Sequence, residues 1–532
     1  MDTANTSPLL SDLLHALVVQ TRDVFSLGLA FVRQHYVAIF IAVFTFHLLS
    51  NKFGYGIHHI PGPRLAAYTY LWRVNDVVRG SAFKTAIALH KRHGPLVRIA
   101  PHVVSVGSAD EIQTIYGTKT AFTKTAFYPI QCISWNKRPQ MNLFSTTDPV
   151  YHRKQKKLVA NAFAMSSLLE MESAVDSCSQ LFMQNLHRMS ATGAAIDLGT
   201  WMQYYAFDVV GEVCFAQKLG FLETGGDVDG MIRTIAGILL YSTDIGQMPT
   251  LHKLLLGNPI FPYILPSMEN WNAVLTFTLK AVNNRGHLER NGNLEASYVN
   301  SDMMSKWTKV MQDFPDRMTT RDIIVHLSTN VFAGSDTTAI ALRAIVYYLL
   351  KNPSKLEKLI AEIDDAGSRG LLSSPVSYKE SVTHLVYLQA VIKEAIRMHP
   401  SVGLLLERHV PPEGAYICNT YIPGGTIVGI NAWVLHYDEH SFPDPYRFLP
   451  ERWIESSPEK LAQMNQAWFP FGAGSRTCIG KNISMMEIAK IIPQLLREFV
   501  VELSDPKAEW NVKGEWFVQQ SGLFCNLTPR TQ

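Results

Sequence analysis

The chain has 532 residues, 47% of them hydrophobic, and a formal net charge of +3. That hydrophobic share excludes a disordered chain, and the near-balance of charge argues against nucleic acid as the main partner. Six cysteines, at positions 132, 178, 214, 418, 478 and 525, show no paired or metal-cluster spacing, which points to a reducing compartment without a disulfide framework.

Residues 1–23 are mixed and partly polar. Two apolar runs follow, residues 24–32 and 36–49, split by Arg33, Gln34 and His35. A membrane-spanning helix needs roughly 20 mostly apolar residues. The second run alone is short, and the two together suffice if Arg33 snorkels towards a surface. No small-x-small cleavage site is evident, so a retained anchor is expected rather than a removed signal, with a buried core helix as the alternative. Ile60-Pro61-Gly62-Pro63 then stiffens the chain and stops a helix.

Leu96-Val97-Arg98-Ile99 and Val103-Val104-Ser105-Val106 read as short strands around Pro101. The stretch Tyr151-His152-Arg153-Lys154-Gln155-Lys156-Lys157-Leu158 is strongly basic, which by itself describes a solvated helix face. Residues 165–280 read as successive amphipathic helices. Within them, residues 237–266, rich in Leu, Ile and Pro, are expected to form a mobile lid over a substrate channel. Residues 290–318 are polar and read as a linker.

A long helical pattern runs over 321–350 and contains Ala333-Gly334-Ser335-Asp336-Thr337-Thr338. Glycine and hydroxyl residues are costly inside a helix. Ala333 and Gly334 remove bulk, so that a flat group could lie against the backbone, and Thr337 can bond back to the carbonyl of Ala333. Glu394 and Arg397 follow on another helix, three residues apart and so on one face. Residues 402–406 are an apolar turn, from which Val402, Leu404 and Leu405, together with Leu523 near the C-terminus, are expected to face a substrate. His436-Tyr437-Asp438-Glu439-His440 has the spacing of a zinc peptidase motif, but Pro443 and Pro445 stop the helix such a site needs.

The most informative stretch is Phe471-Gly472-Ala473-Gly474-Ser475-Arg476-Thr477-Cys478-Ile479-Gly480. A helical pattern with Ile483, Met486, Ile488 and Ile491 follows, so Cys478 lies at a helix N-terminus, where N–H groups and the helix dipole favour thiolate. Gly474 and Gly480 can take unusual backbone angles and let a flat ligand approach. Arg476 supplies a fixed cation suited to a carboxylate. Gly472-x-Gly474 also matches the start of a dinucleotide loop, but Thr477 holds the third glycine position and Pro470 spoils the preceding strand. Pro493 should kink the helix after Cys478.

This decapeptide fills every fixed position of the heme-binding pattern Phe-x-x-Gly-x-Arg-x-Cys-x-Gly, and the chain resembles the cytochrome P450 superfamily. The resemblance implies a mainly α fold with small β-sheets, an anchor with hinge over residues 1–60 and a catalytic domain over 61–532. It implies heme (iron protoporphyrin IX) with Cys478 as the axial thiolate, and Phe471, Gly472 and Gly480 in the loop around it. Arg476 and Arg408 would contact the heme propionates, as would His152 and Lys156, which depart from the family's usual Trp and Arg at those positions. Asp336 and Thr337 would relay protons towards dioxygen. Glu394 and Arg397 would lock to Arg452, in Phe448-Leu449-Pro450-Glu451-Arg452-Trp453, as a structural triad. The electron donor would be the NADPH–cytochrome P450 reductase of the endoplasmic reticulum, with cytochrome b5 as a second candidate, docking at the basic cluster. Residues 406–412 and 429–433 are similar to the fungal branch around pisatin demethylase, which suggests a small apolar secondary metabolite as substrate. A heme-thiolate isomerase and a non-catalytic heme or lipid binder are the alternatives.

Overall fold

The computed structural model describes residues 8–135, 138–258, 260, 273–290 and 301–530. Helices dominate, with small sheets at their edges. The central element is the helix Thr320–Leu350, called the long helix below. It opens on a capping box in which the Thr319 side chain takes the Asp322 N–H and the Asp322 carboxylate takes the Thr319 N–H. Beyond its first turn it is buried on almost every side, as expected of a helix threaded through a large core. It packs along the helix Leu198–Phe215 and crosses Val386–Met398 and Lys481–Glu498. Gly334 serves the first of these contacts, since a Cβ there would lie 2.9 Å from the Val210 side chain. Its missing side chain lets two helices approach, rather than baring the backbone to a ligand.

The main sheet has the order Leu96–Ala100, Val103–Val106, Ile427–Ile430, Arg408–His409, Thr123–Lys124. Its last pair is antiparallel and sets Lys124 directly opposite Arg408. The helix Lys481–Glu498 runs through Pro493 without stopping. Proline has no N–H to give the carbonyl four residues earlier. The buried Ser381 hydroxyl donates to that carbonyl, on Ala489, at 2.7 Å.

The N-terminal helix runs unbroken from Pro8 to Phe53. Its segment Arg33–Phe53 is long and apolar enough to cross a membrane, and almost none of it is buried, so it is not a core helix. Arg33 sits at the edge of this segment, which therefore needs no contribution from residues 24–32. Where a hinge was expected, Ile57 and Ile60 are buried in a core cluster with Val104, Val410 and Ile422. The expected linker is also partly ordered: residues 303–313 form the helix Met303–Asp313, with Met303 and Trp307 buried, while residues 291–300 lie outside the described residues. Of the expected lid, residues 237–245 belong to the helix Met231–Ile245 and Pro249–His252 is a short helix, whereas 259 and 261–266 lie outside the described residues.

Candidate active site

The loop before Lys481–Glu498 is held by its own backbone: the Cys478 N–H donates to the Phe471 carbonyl at 2.9 Å. Gly472 and Gly474 have φ of +66° and +64°. At Gly474 a Cβ would lie 1.7 Å from the Tyr116 carbonyl oxygen, so no other residue fits there. Gly480 is different. Its φ of −81° is ordinary, and a Cβ there would meet nothing within 4 Å. Its bareness therefore faces open space, which is where a flat ligand needs it. Cys478 is exposed. Although its surface is open, the protein crowded around the sulfur strips it of solvent and raises its pKa, while N–H groups of Gly480 and Lys481 and the Lys481 charge act in the opposite, thiolate-favouring direction. Phe471 packs edge-on against Trp468 at 5.8 Å.

On the long helix, Ala333 is the one exposed residue between Ile323 and Leu350. The Thr337 hydroxyl donates to the Ala333 carbonyl at 2.9 Å, and Thr338 bonds to Ser484, on the helix that follows Cys478, at 2.8 Å. Asp336 points elsewhere. It is buried, accepts from Gln203 Nε2, and lines a cavity of about 200 Å3 with Asp197, Arg343 and Gln519. Arg343 Nη2 donates to Gln203 Oε1 at 3.0 Å, so Gln203 links the two charges. Burial raises the Asp336 pKa, opposed by the bond from Gln203 and the nearby Arg343 charge. Thus Asp336 and Thr337, adjacent in sequence, face different surroundings.

A cavity of about 260 Å3 opens beside the cysteine loop. Among the described residues, seven basic side chains line it, Lys124, His152, Lys156, Arg408 and Arg476 among them, and no carboxylate does. Arg408 donates to the Tyr128 hydroxyl at 3.0 Å and to the Glu407 carbonyl at 2.7 Å. Arg476 donates to the Leu143 carbonyl at 3.2 Å, and Lys156 to the Ser475 carbonyl at 2.7 Å. The Lys124 ammonium donates to the Phe144 carbonyl and lies 4.0 Å from the Tyr128 ring centre. The neighbouring Glu407 is already taken by Arg73 and Thr125. Burial and mutual repulsion work on this cluster: Arg476 falls to about 10, His152 to about 3, and Lys124 well below the usual lysine range. Lys124 carried no signal in the sequence, because only the sheet register brings it to Arg408.

Comparison with known proteins decides the family. The cytochrome P450 family model matches residues 61–524. The chain belongs to the cytochrome P450 family. A cytochrome P450 monooxygenase of Aspergillus terreus is 38% identical over 87% of this chain and 94% of its own length. The cytochrome P450 monooxygenase cicH of Emericella nidulans is 36% identical over 93% of this chain and 98% of its own. A pisatin demethylase of Fusarium vanettenii is 32% identical, covering 90% and 92%. The family implies a heme iron cofactor, and the residues of this P450 fit one. A sulfur at a helix start suits the iron, the open space at Gly480 and Ala333 suits a flat ring, and uncompensated cations suit two propionates.

Away from that space, Glu394, Arg397 and Arg452 meet in full burial. Glu394 takes both Nε and Nη2 of Arg397, at 2.8 and 2.9 Å, and Nε of Arg452 at 3.0 Å. Trp453 Nε1 completes its second oxygen at 2.9 Å. His436, the first residue of the zinc-like motif, joins this triad to the cysteine loop. One ring nitrogen bonds the Arg397 carbonyl and the other accepts from the Phe469 N–H, at 2.8 and 2.9 Å. Burial and the Arg397 charge hold its pKa near 3, so it is neutral at pH 7. The helix ends at His436, and exposed Glu439 pairs instead with Lys91, so the motif's side chains diverge.

Of the expected substrate-facing residues, Leu405 packs on the sheet with Ala100 and Val103 and also lines a small cavity with Leu404. Leu404 belongs to the main core, and Val402 bridges to Phe517. Leu523 is buried and lines the Asp336 cavity.

Proposed function

We propose that this P450 is a heme-thiolate monooxygenase that inserts one atom of dioxygen into a C–H bond of a small apolar organic substrate. The other atom leaves as water, and NADPH supplies the two electrons through a reductase. The observation that carries this reading is the exposed Cys478 at a helix start, beside a cavity lined by cations and no carboxylate. Heme held there by Cys478, Arg476, Arg408, Lys156 and His152 would supply dioxygen activation, since thiolate ligation favours O–O cleavage. Phe471 and Gly472 shape the loop around the sulfur. Thr337, on the helix face marked by exposed Ala333, would hold a proton donor close to the reacting gas. Asp336, kept in its polar cavity by Gln203, would exchange protons with solvent. Glu394, Arg397 and Arg452 are structural.

Residues 1–60 would serve as membrane anchor and 61–532 as catalytic domain, on the cytosolic face of the endoplasmic reticulum. The exposed Arg153, Lys154 and Lys157 on the helix Pro149–Val159 suit an acidic donor surface, as expected of NADPH–cytochrome P450 reductase or cytochrome b5. The likeness to fungal monooxygenases, pisatin demethylase among them, supports a secondary metabolite as substrate. The test is the absorption spectrum of the reduced, carbon monoxide-bound protein. A strongly red-shifted Soret band, lost in Cys478→Ala, is expected; a histidine-type band overturns the reading.

A further inference from the structure

The buried guanidinium of Arg98 lies at the end of the membrane-spanning segment. Its Nη1 donates to the Lys52 carbonyl at 2.9 Å, and its Nη2 to the Asn51 carbonyl at 2.6 Å and to the Pro101 carbonyl. Two of these three acceptors are among the last carbonyls of the helix Pro8–Phe53, groups that have no partner within a helix. A third end carbonyl, on Ser50, accepts from the Gly54 N–H at 2.7 Å. Asn51 closes the same joint from the other side, its amide donating to the Tyr68 carbonyl at 2.7 Å. The chain then stays on the domain surface. Ile57 and Ile60 are buried, the Arg98 N–H donates to the Pro61 carbonyl at 2.8 Å, and a Cβ on Gly62 would lie 2.1 Å from the Arg98 carbonyl oxygen.

We propose that Arg98 and Asn51 latch the anchor helix to the catalytic domain, so that the domain meets the bilayer at one fixed tilt instead of swinging on a proline hinge. Arg98 is on the edge strand Leu96–Ala100 of the main sheet, the sheet that also carries Arg408 and Lys124. The latch thereby ties the membrane plane to the site through one rigid element. A charged donor buried with its acceptors is expensive to strand, so the joint does not open without losing the bonds to both helix-end carbonyls together, while the bond to Pro101 stays within the domain. The tilt rests on the membrane reading above; the latch itself does not.

The test uses full-length, heme-loaded protein in phospholipid nanodiscs and, in parallel, in detergent. Amide hydrogen exchange over residues 50–62 is expected to be as slow as over Leu96–Ala100. Arg98→Met is expected to speed it at least about tenfold, with the carbon monoxide spectrum unchanged. On oriented bilayers the wild type should show marked linear dichroism of the heme band, and Arg98→Met should lose it. Fast exchange in the wild type, or an Arg98→Met protein that exchanges as slowly as wild type, overturns the proposal. If Arg98→Met does not fold, Asn51→Ala, which removes the tie to Tyr68 and a contact with His47 within the anchor helix but keeps both bonds from Arg98, must show the acceleration in smaller measure. Failure to float with vesicles would sink the membrane reading alone, because exchange in detergent still reads the latch.

Discussion

Two groups of arginines, buried except for half-buried Arg476, flank the cysteine loop, and they are compensated in opposite ways. In the first, Arg397 and Arg452 share Glu394, whose two oxygens accept from both guanidinium groups, from Trp453 and from the Leu449 N–H. In the second, Arg408 and Arg476 share a cavity with Lys124, His152 and Lys156, and no carboxylate among the described residues lines it. Lys124 even faces Arg408 across a strand pair, an arrangement that costs stability when both are charged. The first network is complete within the protein and so belongs to the architecture. The second has no anionic partner among the described residues, which is what the proposed heme propionates would supply.

The comparison breaks most visibly at Glu394. Glu394→Ala strands two buried guanidinium groups, and removal of one partner of a buried pair typically costs about 3–5 kcal/mol. The expected result is a protein that scarcely folds, read as loss of soluble, heme-loaded material. In the second group the signs differ between the two forms of the protein. Lys124→Met should raise the melting temperature of the heme-free chain, because it relieves first the burial of an amine and then its repulsion by Arg408 and Arg476. It should also speed heme transfer to excess apomyoglobin about tenfold, as expected for loss of one charge-assisted contact. A variant that destabilised both forms alike would place Lys124 with the architecture.

The cysteine loop was legible because its chemistry sits in ten contiguous residues. Thr337 was legible for a related reason, since its bond to Ala333 is made within one helical turn. What escaped the sequence depends on register and on distant partners. Lys124 stands in a stretch rich in threonine, and nothing local distinguishes it from a surface lysine. Gly334 looked like room for a ligand but makes room for Val210. The support of Asp336 was half visible: Arg343 lies seven residues on, hence on the same helix face, whereas Gln203 comes from another helix. The buried junction at Asn51 and Arg98 was hidden by the prolines beside it, which suggested a hinge.

A third kind of buried charge sharpens the comparison. Glu487, on the helix after Cys478, is buried with neither oxygen hydrogen-bonded, and burial raises its pKa well above the usual carboxylate range. Burial thus keeps the proton on it to higher pH in the folded protein than in the unfolded chain. Folding is then unaffected by this group below about pH 4.5 and is penalised increasingly above it, by up to about 1.4 kcal/mol per pH unit. Glu487→Gln should remove that penalty, raising the melting temperature at pH 8 and leaving it nearly unchanged at pH 4. Equal shifts at both pH values would mean that the gain comes from packing and not from the proton.

The neutral counterpart of these networks is a single backbone carbonyl. Ser381 gives its hydroxyl hydrogen to the Ala489 carbonyl, which Pro493 cannot serve, and both groups are buried. Ser381→Ala leaves that carbonyl unpartnered at a cost of about 1–3 kcal/mol, seen as a lower melting temperature with the heme spectrum intact. Pro493→Ala restores the N–H and should rescue Ser381→Ala more than it helps the wild type. That coupling separates a satisfied backbone group from simple loss of packing, because a cavity left by the missing hydroxyl would persist whatever stands at position 493.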